Sequence, residues 1–255
     1  MGRGRSKGSG GGGSAKGATA AKAKATTKTQ PQVQTANQYA WQTGANTPAG
    51  ITHDEFMKLQ AMQRERVIKD IINDQGIKVP AYLDDSETTK AIYALGMNNK
   101  PTVVPDAQLS AMKGKSLYRT VNGNPSISGA QIADQIKTWD YTQLSGKGGS
   151  VHGRALYFAD NIRASASYYD GNGDGKMIRG KLLPGANIVD ESVITALGNN
   201  NKLGSNYADR MGLTAICYGY DGWKSPNTGY YMMVNRGKLA VSDKTKSVDW
   251  YTKRW

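Results

Sequence analysis

One run of sixteen residues, from Gly153 to Tyr168, carries side chains that suit the binding of a flat, amide-bearing ring. Its pattern predicts a short strand that passes directly into a helix. Tyr157 and Tyr168 stand eleven positions apart, with Ser165 between them. Aromatic faces stack against such a ring, and a hydroxyl group hydrogen-bonds its amide. The run therefore predicts a slot for a planar ring, unless the two tyrosines simply pack between strand and helix.

The same run resembles, without a gap, the nicotinamide-pocket segment of the poly(ADP-ribose) polymerases. Upstream, Leu117 to Arg119 is similar to the first motif of the arginine-type mono-ADP-ribosyltransferases. The resemblance covers roughly residues 115 to 242 and is patchy outside the two motifs. It implies a fold of the ADP-ribosyltransferase superfamily, with NAD as the substrate.

The resemblance also implies a role for each residue of the pocket. Ser165 would hydrogen-bond the carboxamide of NAD, Tyr168 would stack on the nicotinamide ring, and Tyr157 would flank it. The main chain of Thr120 would meet the amide, and Arg119 would clamp the diphosphate with two parallel hydrogen bonds. Arg119 and Tyr168 are thus the predicted catalytic residues, and no metal site is predicted. The alternative for Arg119 is an ordinary exposed strand arginine.

A catalytic carboxylate is the element that the resemblance does not supply. Related enzymes place a glutamate before a late strand, where a fixed negative charge supports an oxocarbenium-like transition state. The matching segment here, Asn227 to Tyr231, contains no acidic residue. Asp221 lies upstream of it, and Glu191 follows another strand. Either a different acid serves, or the site binds NAD without turning it over.

Three further features of the sequence bear on its chemistry. His152 precedes the strand and is placed to reach a ribose or phosphate, although a lone loop histidine usually has no such role. Cys217, the only cysteine, lies in an apolar run, which predicts a buried core thiol and excludes an internal disulfide. Asp170 to Gly175 matches half of a calcium loop, but Lys181 stands where the bidentate glutamate belongs. A glycine-rich turn is the prediction there.

Charge separates the beginning of the chain from the rest. The net charge is +13, no acidic residue precedes Asp54, and seven lysines and arginines lie in that stretch. Its Gly, Ala and Lys content predicts a disordered tail over residues 1–50, because such a segment buries too little apolar surface to offset its ordering entropy. The tail is either a polyanion-binding segment acting through counterion release or a solubilising leader. No apolar run is long enough to cross a bilayer, so no membrane partner is predicted.

Periodicity and capping signals divide the remainder into a helical segment, residues 51–110, and an ADP-ribosyltransferase-like domain, residues 111–255. A helix is predicted from Thr52, capped by Glu55, to about Gly76, and another over Ser86–Leu95. Pro101 and Pro105 predict a loop. Further on, the predicted strands are Ser116–Val121, Ala155–Ala159, Met177–Leu183, Leu213–Tyr218, Tyr230–Asn235 and Lys238–Val241. The predicted helices between them are Ser128 to about Trp139, Asn161–Tyr168 and Asn206–Met211. This order predicts an α+β fold with mixed sheets and short helices.

The leading functional hypothesis is an NAD-dependent mono-ADP-ribosyltransferase that modifies a protein or nucleic-acid acceptor. Its organisation resembles transferases that bacteriophages encode, which implies the host cytoplasm or the virion as its location. The alternative is a non-enzymatic virion or DNA-associated protein with a degenerate ADP-ribosyltransferase fold, favoured by the missing glutamate and the basic tail. A third hypothesis, transfer of an RNA 2′-phosphate to NAD, needs basic residues converging on the pocket, for which Arg119, Arg154 and Arg163 are available.

Overall fold

The computed structural model describes residues 50–74, 76–81, 83–138, 151–171 and 174–253. The predicted tail, apart from Gly50, lies outside this part of the chain, and so does Trp139. The α-helices of the described residues are α1 (His53–Met57), α2 (Ala61–Asn73), α3 (Glu87–Ala94), α4 (Asp106–Ala111), α5 (Gly129–Thr138), α6 (Ile162–Ala166), α7 (Glu191–Asn201), α8 (Tyr207–Tyr218) and α9 (Val248–Thr252). A 3₁₀ turn covers Arg236–Lys238.

The strands of the described residues form one mixed sheet of nine strands, so the protein is of mixed α/β class. They are β1 (Thr102–Val104), β2 (Leu117–Val121), β3 (Leu156–Ala159), β4 (Lys176–Leu182), β5 (Ile188–Asp190), β6 (Gly222–Lys224), β7 (Tyr230–Met233), β8 (Leu239–Ser242) and β9 (Lys246–Ser247). Their order across the sheet is β1-β8-β4-β2-β3-β7-β6-β5, and β9 pairs with β4. The pairs β1–β8 and β5–β6 are parallel, and the others are antiparallel.

The sheet is joined at its centre by a single residue pair. β2 pairs with β4 over five positions, and β3 pairs with β7 over four. Between β2 and β3 only Tyr118 and Ala159 are paired. Because these strands are antiparallel, the chain beyond Tyr118 separates from the chain before Ala159. A split therefore opens between Arg119 on β2 and Tyr157 on β3, with half of the sheet on each side.

Side-chain caps fix several helix starts that the sequence predicts. Thr52 accepts the N–H of Glu55 at 3.2 Å, while the Glu55 carboxylate accepts the N–H of Thr52 at 2.8 Å. Ser128 and Gln131 form the same reciprocal pair before α5, and Ser86 caps α3. These predictions are confirmed, because a capping box depends only on residues three positions apart.

The prediction of one unbroken helix from Thr52 to Gly76 is wrong. α1 ends at Met57, and Gln60 has an extended backbone before α2 begins. Gln63 accepts the N–H of Gln60 at 3.0 Å, which starts a second helix with a second capping interaction. Both helices turn apolar residues toward the same core. The apolar positions therefore continue across the break in the sequence, and the pattern does not reveal it.

The predicted strand over Leu213–Tyr218 is also wrong, since these residues form the second half of α8. Asn206 starts this helix by accepting the N–H of Asp209 at 2.9 Å, and Gly219 ends it with a left-handed φ of 76°. Nearly all of its second half is buried. A helix buried on all sides carries no 3.6-residue polar period, so an apolar run of this length resembles a strand.

The interior position of Cys217 on α8 confirms the predicted core thiol. Burial raises the pKa of this thiol to about 12, so it is protonated and a poor nucleophile at neutral pH.

The loop predicted between Pro101 and Pro105 contains β1, which pairs with β8 in parallel through Thr102 and Ala240. β5, β6, β9, α4, α7 and α9 were not predicted either. The remaining predicted elements are present, with ends that differ by a few residues; α6, for example, covers Ile162–Ala166 rather than Asn161–Tyr168.

One hydrophobic core unites the early helices with the sheet. Its largest fully buried side chains include Phe56, Ile68 and Leu95 from the helical segment and Leu117, Phe158 and Trp223 from the strands. α8 lies at the centre of the helical layer and packs against α2, α3 and α7. No helix in the described ranges is long and apolar enough to cross a membrane.

A buried ionic network holds α3 to α8. Asp209 is 2% exposed, and its Oδ1 accepts the N–H of Thr88 at 3.0 Å and the hydroxyl of Thr88 at 2.8 Å. Arg154, which precedes β3, places its Nε 3.0 Å from the same oxygen. The carboxylate therefore ties two helices to the segment that enters the candidate site.

Asp209→Ala should lower the free energy of unfolding by about 3–5 kcal/mol, because it leaves Arg154 and Thr88 buried without their main partner. Urea unfolding of the variant and the wild-type protein measures this loss. Asp85→Ala is the matched control, since Asp85 pairs with Lys90 but its side chain is 79% exposed. A similar change in both variants would contradict the special role of the buried carboxylate.

Candidate functional site

Thr120 and Ser165 meet on one side of the split. Asn161 caps α6 by accepting the N–H groups of Arg163 and Ala164, which directs the short helix across β2. The Ser165 hydroxyl is then 3.1 Å from that of Thr120, and Ser165 is 2% exposed. Two adjacent hydroxyl groups, one of them buried, form a polar anchor suited to an amide group.

Arg119 extends from β2 into the split itself. Its Nη1 donates to the main-chain oxygen of Tyr157 at 2.9 Å, in place of the strand hydrogen bonds that are missing there. Desolvation lowers the pKa of the guanidinium to about 10, so it remains charged at neutral pH. Among the described residues its buried Nε has no hydrogen-bond partner, and no carboxylate forms an ion pair with the group. The split therefore holds a desolvated cation with donors to spare.

Three tyrosine rings line the neighbouring surface. The Tyr157 hydroxyl donates to the main-chain oxygen of Gly153, and burial raises its pKa. Tyr168 follows α6, is 57% exposed, and is held through its carbonyl by the Asn122 side chain at 2.7 Å. Its ring meets that of Tyr230 edge to face, with centroids 5.8 Å apart. Tyr168 thus keeps an accessible aromatic surface next to the hydroxyl pair.

His152 and Glu191 complete the wall on the far side of Tyr230. The Nδ1 of His152 lies 2.8 Å and 3.0 Å from the two oxygens of Glu191. The His152 ring centroid is 5.9 Å from that of Tyr230 and 6.4 Å from that of Tyr157. The sequence suggests a site role for each of these two side chains separately and predicts only a strand position for Tyr230. Their juxtaposition was not predicted, because 39 positions separate His152 from Glu191.

The structure explains why position 229, directly before β7, is a glycine and not an acidic residue. Gly229 has a left-handed φ of 71°, which favours glycine. A Cβ at this position would lie 2.3 Å from Oδ1 of Asp160, the residue that follows β3. Asp160 donates its own N–H to the carbonyl of Gly229 at 3.0 Å and pairs with Lys115. A carboxylate from β3 therefore occupies the space that a side chain on residue 229 would need.

The other acid considered from the sequence, Asp221, has a structural role. Its two oxygens accept the N–H of Asn187 and the side-chain amide of Asn235, both at 2.8 Å. Arg154 is likewise committed to Asp209, so it does not join Arg119 as the RNA phosphotransfer hypothesis would require. In the described part of the chain, Glu191 is the acid that contacts the tyrosine and histidine cluster.

No group of three or more His, Cys, Asp or Glu side chains in the described ranges is arranged to hold a metal ion. A separate cavity of about 390 Å³ lies between α3 and α8 and is lined by Asp84, Asp85, Ser86, Glu87, Arg154, Ser205, Asn206 and Asp209. Comparison with protein-family models, curated proteins and solved structures finds no match to this chain.

Gly229→Ala should destabilise the fold by more than the cost of a left-handed alanine, which is about 1–2 kcal/mol. The added methyl group also displaces the Asp160 carboxylate. Gly171→Ala is the matched control, because Gly171 has a similar φ of 76° but no atom within 4 Å of the added carbon. Thermal or urea unfolding of both variants measures the difference, and equal losses would show that Asp160 imposes no constraint on position 229.

Proposed function

We propose that this protein is an NAD-dependent mono-ADP-ribosyltransferase whose substrate lies across the split between β2 and β3. The observation that carries the proposal is Arg119, a desolvated guanidinium with an unpartnered buried Nε and no carboxylate partner among the described residues. A half-buried, desolvated cation of this kind is stabilised by an anion that brings paired oxygens. The diphosphate of NAD supplies such oxygens.

The ring-binding side supports the same substrate. An exposed aromatic face at Tyr168 lies beside the hydroxyl pair of Thr120 and Ser165. In the proposed complex the nicotinamide ring stacks on Tyr168, and its carboxamide meets Ser165 and the Thr120 main chain. The sheet is joined at its centre by one residue pair and opens between β2 and β3, which gives NAD, bound in a bent form, a place to lie; this supports the finer assignment to an ADP-ribosyltransferase-type fold.

The chemistry of the proposed reaction is dissociative substitution at the ribose. The bond between C1′ and the nicotinamide nitrogen breaks, nicotinamide leaves, and a nucleophile of a protein or nucleic acid bonds to C1′. Polyanion binding by the basic tail, residues 1–50, would help the protein reach its acceptor in a host cytoplasm or a virion. These partner and location assignments rest on the sequence resemblance and on charge.

A second candidate is an NAD-binding module without turnover, in a virion or on DNA. The observation that favours it is the segment Asn227 to Tyr231, where the family resemblance implies a glutamate and the sequence has no acidic residue. Release of nicotinamide from NAD by the full chain distinguishes the two candidates: sustained release supports the enzyme, and binding without release supports the module.

Tyr168→Ala and Ser165→Ala should each weaken NAD binding. The first removes a stacked ring worth about 1 kcal/mol or more, which corresponds to roughly a fivefold rise in Kd. Tyr168→Phe is the matched control, because it keeps the ring and should bind NAD nearly as well as the wild-type protein. Calorimetric titration with NAD measures all of these. Unchanged affinity in folded Ala variants is the outcome that rejects the ring pocket.

Arg119→Lys should keep the fold but lose most NAD binding or turnover. Lysine can still donate to the Tyr157 carbonyl, yet a single ammonium group cannot also present a fork of donors to the diphosphate. Loss of a charge-assisted hydrogen bond predicts a drop of roughly 10- to 100-fold. The control is the melting temperature, which should change little, and full turnover by this variant would refute the proposed role of Arg119.

A further inference from the structure

His152 and Glu191 form a hydrogen-bonded pair that has no role in the NAD contacts proposed above. The carboxylate contacts only one ring nitrogen of the histidine, Nδ1, through both of its oxygens. Among the described residues, these are the hydrogen bonds that the His152 ring makes. A carboxylate at Nδ1 holds the proton there and fixes the tautomer, so Nε2 carries the free lone pair.

The pair is held in place by elements on both sides. Glu191 is the first residue of α7 and follows β5 without a connecting loop, so the parallel pairing of β5 with β6 sets its position. Trp223 of β6 donates its indole N–H to the main-chain oxygen of His152 at 2.8 Å. Because this contact uses the backbone, it persists when the His152 side chain is replaced.

The pair is also open to a large reactant. The side chains of His152 and Glu191 are each 18% exposed. Val151, which precedes His152, is 73% exposed, and Val193, two positions after Glu191, is 38% exposed. Tyr230 connects this rim to Tyr168, since its ring contacts both Tyr168 and His152. A nucleophile that approaches over the rim therefore reaches His152 close to the proposed nicotinamide pocket.

We propose that Nε2 of His152 is the general base of the transfer step, with Glu191 as its positioning residue. This inference rests on the proposed NAD chemistry and defines the acceptor class, a neutral O–H or N–H group rather than an ionised carboxylate. As the C1′–nitrogen bond breaks, nicotinamide leaves with the electron pair of that bond. The acceptor oxygen or nitrogen bonds to C1′, and its proton moves to Nε2. Glu191 stabilises the imidazolium that forms, which later releases the proton to water.

The hydrolysis of NAD tests this proposal without knowledge of the natural acceptor. Water is a neutral O–H nucleophile and takes the acceptor's place in this assay. The full chain is incubated with NAD, and the release of nicotinamide and ADP-ribose is followed. His152→Ala should lower kcat by at least about 100-fold while the Kd for NAD stays within about twofold of the wild-type value. Added imidazole should restore part of the lost kcat, because it supplies the missing base in the space left by the side chain.

Glu191→Gln should lower kcat and leave the KM for NAD nearly unchanged, because it removes the charge but keeps the size of the side chain. Asp190→Asn is the matched control, since Asp190 pairs with Lys224 on the neighbouring strand and should retain full activity. The general-base assignment is overturned if His152→Ala keeps its kcat, if imidazole restores nothing, or if Asp190→Asn loses as much as Glu191→Gln. NAD binding without hydrolysis by the wild-type protein overturns this inference alone, whereas absence of NAD binding overturns the proposed function as well.

Discussion

The single residue pair between Tyr118 and Ala159 is the constraint on which the candidate site depends. A fully paired β2–β3 ladder would bring the two strands to the usual spacing of about 4.8 Å and leave no room for a side chain between them. With one pair only, the strands separate, and Arg119 fills the gap by donating to the Tyr157 carbonyl. The same arginine therefore closes the sheet and supplies the positive charge of the site, so structural and binding roles meet in one residue.

Two arginine side chains of this protein, Arg154 and Arg119, are removed from solvent in different surroundings. At the α3–α8 interface, Arg154 and Asp209 neutralise each other, and Thr88 supplies further hydrogen bonds. At the split, Arg119 forms no ion pair with a carboxylate among the described residues and instead donates to a main-chain oxygen. A compensated pair contributes to holding the fold together, whereas an uncompensated cation costs stability unless a ligand completes it. The contrast makes the split, and not the acidic cavity between α3 and α8, the place where an anionic ligand is expected.

The sequence predicts local features of this fold well and distant juxtapositions poorly. Capping pairs such as Thr52 and Glu55 were predictable, because both partners lie within one helical turn. α8 was not, because complete burial removes the polar period by which a helix is recognised. The gathering of Thr120 and Ser165 was expected only from a family resemblance, and Glu191 was one of two substitutes for a missing acid. Its contact with His152 depends on how β5, β6 and β3 are ordered in space, which no local pattern encodes.

The place from which an acidic side chain reaches the candidate site is limited by the backbone around it. Gly229 and Asp160 fit together so closely that an acid at position 229 would require both the backbone and the neighbouring side chain to move. Glu191, at the start of α7, avoids this conflict, because it reaches the cluster from the end of β5 and contacts His152. Negative charge that acts through an imidazole moves protons, whereas a bare carboxylate mainly stabilises positive charge. The architecture thus favours acceptors whose attack requires the removal of a proton.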